Sequence, residues 1–477
     1  MYLSHTPISR SIIRPWLAGV LVFCCMPAVL TLAGRAQQTG SAPMSIADRN
    51  ALRTALDAYD QGQAATAEPL LRDLATRYPK NYEANEALGG IYAESNNVAQ
   101  ALPYLQRACK IAPRQALAHA NLGAAYLKVG RSADAVLELQ HASLLEPRNG
   151  VTQSNLGQAL MLTRQPAKAV AAFRVAVEAQ PKDWDLRYNL ALALYESGDA
   201  QQAGTALTKI PDEAMTDQSH LLAGDANEKL GNFKAAVLHY QAAAQRNPSD
   251  TNLYTLTLEF LRHWTWDEAI QIAEYGARQY PASTHFKAAE GIALYGNNKY
   301  PEAVVVFASL LTKDPENALY ADLLGRSCSL VAEGASADCS GLEEFAQRHP
   351  ENARAAMYAA TSILHRPTAE QDTAKAEKLL QQALAEDPKL TEAYYQLGVL
   401  EQQRSHWKES AVVLEKAVEL RPSYPEAHYR LSRAYSHLGM RDDAQTQMAL
   451  QQQYAQQEKD HLNARMQEVV TFLLKSN

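Results

Sequence analysis

Three asparagines occupy one slot of a periodic pattern: Asn121, Asn155 and Asn189 stand 34 residues apart. An asparagine amide both donates and accepts, so it pairs with a peptide C=O and N–H together. On a row of packed helices, neighbouring slots would lie about 8–10 Å apart. An extended peptide advances about 3.3 Å per residue, so each amide would hold roughly every third residue of a strand threaded along the row. The alternative is a polar residue tolerated on a solvated helix face; the sequence leaves both open. Tyr188, Tyr195, Tyr254 and Tyr295 continue the same face and would offer apolar area with a polar tip, which suits peptide side chains.

Other chemistry is scarce. The chain has no Gly-rich phosphate loop, no HExxH, no CxxC and no CxxCH. We therefore expect no catalytic residues, no metal ligands and no cofactor. The 13 histidines are scattered, and His119, His220, His285 and His428 fall where aromatic packing is the usual role. His263-Trp264-Thr265-Trp266 reads as a turn clamped by two rings, with a cofactor or sugar platform as the alternative. Glu343-Glu344 reads as a solvated face. Of five cysteines, Cys109 reads as a small, buried, inert residue. Cys328 and Cys339 have ten residues between them and can oxidise outside the cytoplasm. They can equally be two unrelated core residues. A bridge closing so short a loop adds at most about 2–3 kcal/mol.

The elements that position these residues follow from a recurring proline. Pro79, Pro113, Pro147 and Pro181 are 34 residues apart, and Pro248, Pro281, Pro315, Pro350, Pro388 and Pro422 carry the beat on. Gly89, Gly123, Gly157, Gly224, Gly291 and Gly398 precede a proline by 24 residues, and Ala101, Ala135, Ala169 and Ala303 by 12. Small residues recurring this way mark close helix crossings, because a larger side chain would push the helices apart. The segments Asn85-x2-Leu-Gly-x2-Tyr92, His119-x2-Leu-Gly-x2-Tyr126, Tyr394-x2-Leu-Gly and His428-x2-Leu-Ser-x2-Tyr435 resemble the tetratricopeptide repeat. The resemblance implies an all-α fold: an α-solenoid, a right-handed superhelix of stacked helix-turn-helix units ending in a capping helix. Twelve copies start near residues 48, 82, 116, 150, 184, 217, 250, 284, 318, 353, 391 and 425.

The asparagine row resembles the ladder in the repeat arms that present substrates to protein O-glycosyltransferases, although no glycosyltransferase domain follows. The dicarboxylate clamp of chaperone-binding relatives needs Lys with Asn or Arg at set slots, and that set is missing.

The first residues differ in kind. Arg10 and Arg14 precede an apolar run from Trp16 to Leu32, and Ala33-Gly34-Arg35-Ala36 offers a cleavage site. Residues 1–36 read as a signal peptide and 37–47 as a disordered linker. An uncleaved membrane anchor is the alternative, with Pro27 interrupting it. An N-terminal array at 48–216, a C-terminal array at 217–456 with degenerate copies at 318–390, and a capping helix at 457–477 complete the organisation. The stretches 212–217, 332–338 and 365–372 are candidate hinges or contact loops. Of 45 basic residues, Arg10, Arg14 and Arg35 leave with the signal, so 42 face 52 acidic ones. That formal −10 argues against nucleic acid as a partner.

The expectation is a periplasmic or secreted, non-enzymatic scaffold that binds a protein or extended peptide in a concave groove. It would meet the membrane only through the export signal. The alternatives are an accessory docking subunit of an envelope enzyme acting on polysaccharide or peptidoglycan, and an enzyme site hidden in residues 318–390, where no nucleophile–base set is found.

Overall fold

The computed structural model describes residues 44–331, 338–365 and 370–474. The export segment, most of the linker, and the centres of the stretches near 332–338 and 365–372 lie outside the described residues. Among the described residues there are 24 α-helices, one short 3₁₀ turn and no strand. The chain divides into two compact units, Met1–Gly231 and Asn232–Asn477.

In the first unit the leading helices of the hairpins are α1 (Ile46–Asp60), α3 (Tyr82–Glu94), α5 (Ala116–Lys128), α7 (Gly150–Leu162), α9 (Trp184–Glu196) and α11 (Asp217–Lys229). Their partners are α2 (Ala64–Arg77), α4 (Val98–Ile111), α6 (Ser132–Leu145), α8 (Pro166–Ala179) and α10 (Ala200–Leu207). The second unit opens on α12 (Phe233–Arg246). It continues through α13 (Asp250–Arg262), α14 (Trp266–Gln279), α15 (Thr284–Gly296), α16 (Tyr300–Lys313), α17 (Ala318–Cys328) and α18 (Gly341–Arg348). It closes with α19 (Ala353–Leu364), α20 (Glu370–Glu386), α21 (Thr391–Gln403), α22 (Trp407–Leu420), α23 (Pro425–His437) and α24 (Arg441–Leu474).

Local sequence sets the helix ends. Side chains of Asn81, Asn149, Asp183, Ser249 and Asn352 accept from the backbone amide three residues on, satisfying a donor that the first turn leaves free. Tyr78, Ala112, Glu146 and Gln180 leave helical geometry, with ψ between 67 and 78°. Each precedes a repeat proline, whose ring excludes the helical region for the residue before it. The turn inside a hairpin requires a left-handed residue. Glycine supplies it at Gly62, Gly130, Gly198, Gly231 and Gly439, and Asn96, Arg164, Trp264, Asn298 and Ser405 adopt it at φ 57–64°.

Packing follows the small slots. A Cβ added at Gly89, Gly123, Gly157 or Gly291 would lie 2.5–2.6 Å from the side chain of Leu105, Leu139, Phe173 or Phe307. Those four large side chains are fully buried. The segment after α10 is not a free hinge. Ile210 and Met215 join Leu207, Leu222 and Ala223 in the core of the first unit, so α11 stays with that unit and the division falls after Gly231 rather than after residue 216. At the other end the second helix of the last repeat and the expected capping helix are one continuous helix, α24. Cys328 and Cys339 are joined by a disulfide, Cα–Cα 6.3 Å, tying the end of α17 to the entry of α18.

Trp264 stacks on Trp266 with ring centroids 5.7 Å apart. Trp266 fills the space beside Gly296, and the Thr265 hydroxyl donates to the Phe260 carbonyl at 3.1 Å. These contacts make the segment a packed turn.

The glycine slots give a test with a sign. Gly123→Ala should destabilise by about 1–3 kcal/mol through overpacking against Leu139. Gly204, inside α10 with nothing within 4 Å of an added Cβ, should respond to alanine with a gain of about 0.4–1 kcal/mol. Urea midpoints of the two variants should move in opposite directions; a gain for Gly123→Ala would refute the close crossing.

Candidate functional site

Leading helices of successive repeats touch one another: α1 meets α3, α3 meets α5, α5 meets α7, and α9 meets α11. Small residues let these pairs close. Gly90 of α3, for example, lies against the Tyr59 hydroxyl of α1, where an added Cβ would be 2.5 Å away. Residues 84–93 of α3 are consequently buried all round.

This closure changes the asparagine row. Asn121 and Asn155 are not surface residues; they are 8% and 4% exposed, and only Asn189 is half-buried. Asn121 Nδ2 donates to Glu86 Oε1 of the preceding repeat. Its amide is spent on joining α5 to α3. Asn155, Gln158 and Asn189 make no side-chain hydrogen bond among the described residues. Asn155 and Gln158 are three apart on α7 and share a face. The usable amides are therefore on α7 and α9, and the sequence reading omitted Gln158.

Of the four tyrosines, Tyr188 and Tyr195 lie in the first unit and Tyr254 and Tyr295 in the second. Tyr188 is half-buried on α9 beside Asn189, and burial, then Asp225 and Asp217, push its hydroxyl up to about 12, so it stays a donor. The Tyr195 ring is covered by Lys229 Nζ at 5.1 Å. In the second unit Tyr254 packs edge-on against His285 and Phe286 at 4.4 and 5.7 Å, and Tyr295 meets Tyr300 at 5.6 Å. The second unit also holds an open pocket of about 550 Å³ lined by Tyr395, Tyr429, Arg430, Gln451 and Glu458.

The fourth position of the leading helix has a common task that residue types conceal. The side chains of Asn85, His119, Gln153, Arg187, Tyr394 and His428 each lie 2.7–3.3 Å from the carbonyl of Pro79, Pro113, Pro147, Pro181, Pro388 and Pro422, six residues earlier. His119 and His428 thus do more than pack: each gives an N–H to a carbonyl that the helix end leaves without a partner.

Models of the tetratricopeptide repeat match residues 52–116, 154–217 and 217–250. This chain is a tetratricopeptide-repeat protein. No curated protein sequence matches it. Solved structures similar to it include YrrB, described as a TPR protein with an unusual peptide-binding site, at 17% identity over 38% of this chain and 94% of that one, TM-score 0.36. Another is pilF of Pseudomonas aeruginosa, at 18% identity over 43% and 94%, TM-score 0.36. A third is MamA from Desulfovibrio magneticus RS-1, at 19% identity over 35% and 95%, TM-score 0.33. Likeness at this level says nothing about partners.

Glu86 is the second residue the sequence reading missed. Its side chain is buried, Oε2 has no hydrogen-bond partner, and burial pushes the carboxyl up to about 7 against the bond from Asn121. A carboxyl raised in the folded state binds its proton more tightly there than in the unfolded chain. Its charged form therefore costs stability, a cost absent below the usual 4.5 and complete above about 7. Glu86→Gln, measured with EDTA present, should match the parent in acid and exceed it at neutral to basic pH by on the order of 3 kcal/mol. Urea unfolding across that window checks this; a difference that does not change with pH would contradict it.

Proposed function

We propose that this tetratricopeptide-repeat protein is an exported, non-enzymatic scaffold whose first unit holds an extended peptide or protein segment along α7 and α9. Tetratricopeptide-repeat proteins are protein-interaction scaffolds. The observation that carries the reading is the set of unengaged amides at Asn155, Gln158 and Asn189, with the half-buried Tyr188 on the same helix as Asn189. An amide pointing at a strand satisfies its N–H and C=O without regard to side chains, and a half-buried tyrosine adds apolar contact. Helices packed side by side would set such amides roughly three residues of strand apart.

The probe is a displayed library of random peptides selected on the full chain. Replacing Asn155, Gln158 and Asn189 together by alanine truncates two buried side chains and one half-buried one, so circular dichroism must first show that the variant is folded. Each lost partner should weaken the selected peptides by about 1–3 kcal/mol, a combined loss of roughly a hundredfold or more. Equal affinity in the folded triple variant would sink the reading. Asn121→Ala, by contrast, should lower stability, because it strips Glu86 of its one hydrogen bond.

Export rests on Arg10, Arg14 and the apolar run to Leu32. Terminal sequencing of the native protein should begin at Gln37 or within a few residues of it; an intact Met1 would contradict export by cleavage.

A further inference from the structure

In the first unit, α4, α5 and α6 bring three metal-ligating side chains together. Cys109 Sγ, a ring nitrogen of His119 and a carboxylate oxygen of Glu138 all lie within 4.8 Å of one another. Cys109 and His119 are buried, and Cys109 is a free thiol. Ligands held at 2.0–2.3 Å around one tetrahedral ion are separated by roughly 3.3–3.8 Å. Small side-chain shifts therefore suffice.

Hydrogen bonding gives the second argument. His119 Nε2 lies 3.1 Å from the Pro113 carbonyl, which only accepts, so Nε2 carries the proton. In the neutral ring Nδ1 then presents a lone pair, and it faces Glu138 Oε2 at 2.6 Å. Two acceptors at that distance share a proton, and a metal ion takes the proton's place once the pair opens to the ligand spacing above. A ring N–H donated to a backbone carbonyl is also the arrangement that orients a metal-binding histidine and fixes its tautomer. The twelfth repeat supplies the contrast. His428 makes the same contact with Pro422, at 2.7 Å, and its Nδ1 faces Gln447 Oε1 at 2.6 Å; there a flip of the amide brings an N–H to the ring, a remedy that the Glu138 carboxylate does not have.

We propose that Cys109, His119 and Glu138 bind one borderline-soft divalent cation of the zinc class, bracing α4, α5 and α6. A thiolate, an imidazole and a carboxylate match that class, with one coordination position left open. Binding releases the thiol proton and any proton held between His119 and Glu138.

The test uses the full chain, without a histidine tag, stripped with chelator and titrated with Co²⁺ and then Zn²⁺. One equivalent of Co²⁺ should give tetrahedral visible bands and a near-ultraviolet thiolate-to-cobalt band, both displaced by Zn²⁺. Cys109→Ser should abolish the thiolate band. Glu138→Gln keeps the contact that Gln447 makes in the twelfth repeat but removes the ligand, so it should fold normally and bind Zn²⁺ at least about tenfold more weakly. Absence of the thiolate band in the parent, or unchanged Zn²⁺ affinity in folded Glu138→Gln, would overturn the site and leave a proton-bridged His119–Glu138 pair.

Discussion

In several hairpins the two helices approach most closely where one of them has no Cβ. At Gly89, Gly123, Gly157 and Gly291 the side chain sixteen residues on, Leu105, Leu139, Phe173 or Phe307, occupies the space a methyl would need. That interlock sets the separation of the two helices and buries the large partner completely. A single hairpin still leaves a stripe of apolar surface, which the next hairpin covers. Local failure at one glycine should therefore be felt mainly by its own and adjacent repeats.

Between repeats the joints are polar. A side chain of the leading helix caps the proline carbonyl that ends the preceding repeat. Asn121 reaches from α5 to Glu86 on α3, and Lys128 Nζ reaches from α5 to the Ala93 carbonyl of α3 at 2.8 Å. These contacts consume hydrogen-bonding groups that an open groove would present to a partner. The set of leading helices is accordingly divided. Around α3 and α5 it is spent on holding the array together, and around α7 and α9 it keeps amides in reserve. The binding reading rests on that division.

Much of this was legible in the sequence because the fold is periodic. The helix starts at 82, 116, 150, 184, 217, 250, 284, 318, 353, 391 and 425 coincide with the starts of the repeats, since proline, N-cap and glycine recur in register. Two kinds of information were not legible. The fourth-position contact is made by asparagine, histidine, glutamine, arginine and tyrosine, which share only a donor of suitable reach, so no residue pattern reveals it. The burial of Asn121 and Asn155 depends on how closely leading helices approach, and that distance is a product of packing between repeats. The Cys109–His119–Glu138 cluster was hidden for the same reason: its members come from three helices, with no motif spacing.

The most direct test of the division among the leading helices is photocrosslinking in intact cells. A crosslinking amino acid would be placed at Ser154 or Leu192, half-buried beside the reserved amides, or at Leu144, which is 81% exposed on α6. The account predicts that mass spectrometry finds the same peptide segments joined at 154 and 192 and not at 144. Adducts formed at 144 with none at the inner positions would contradict it.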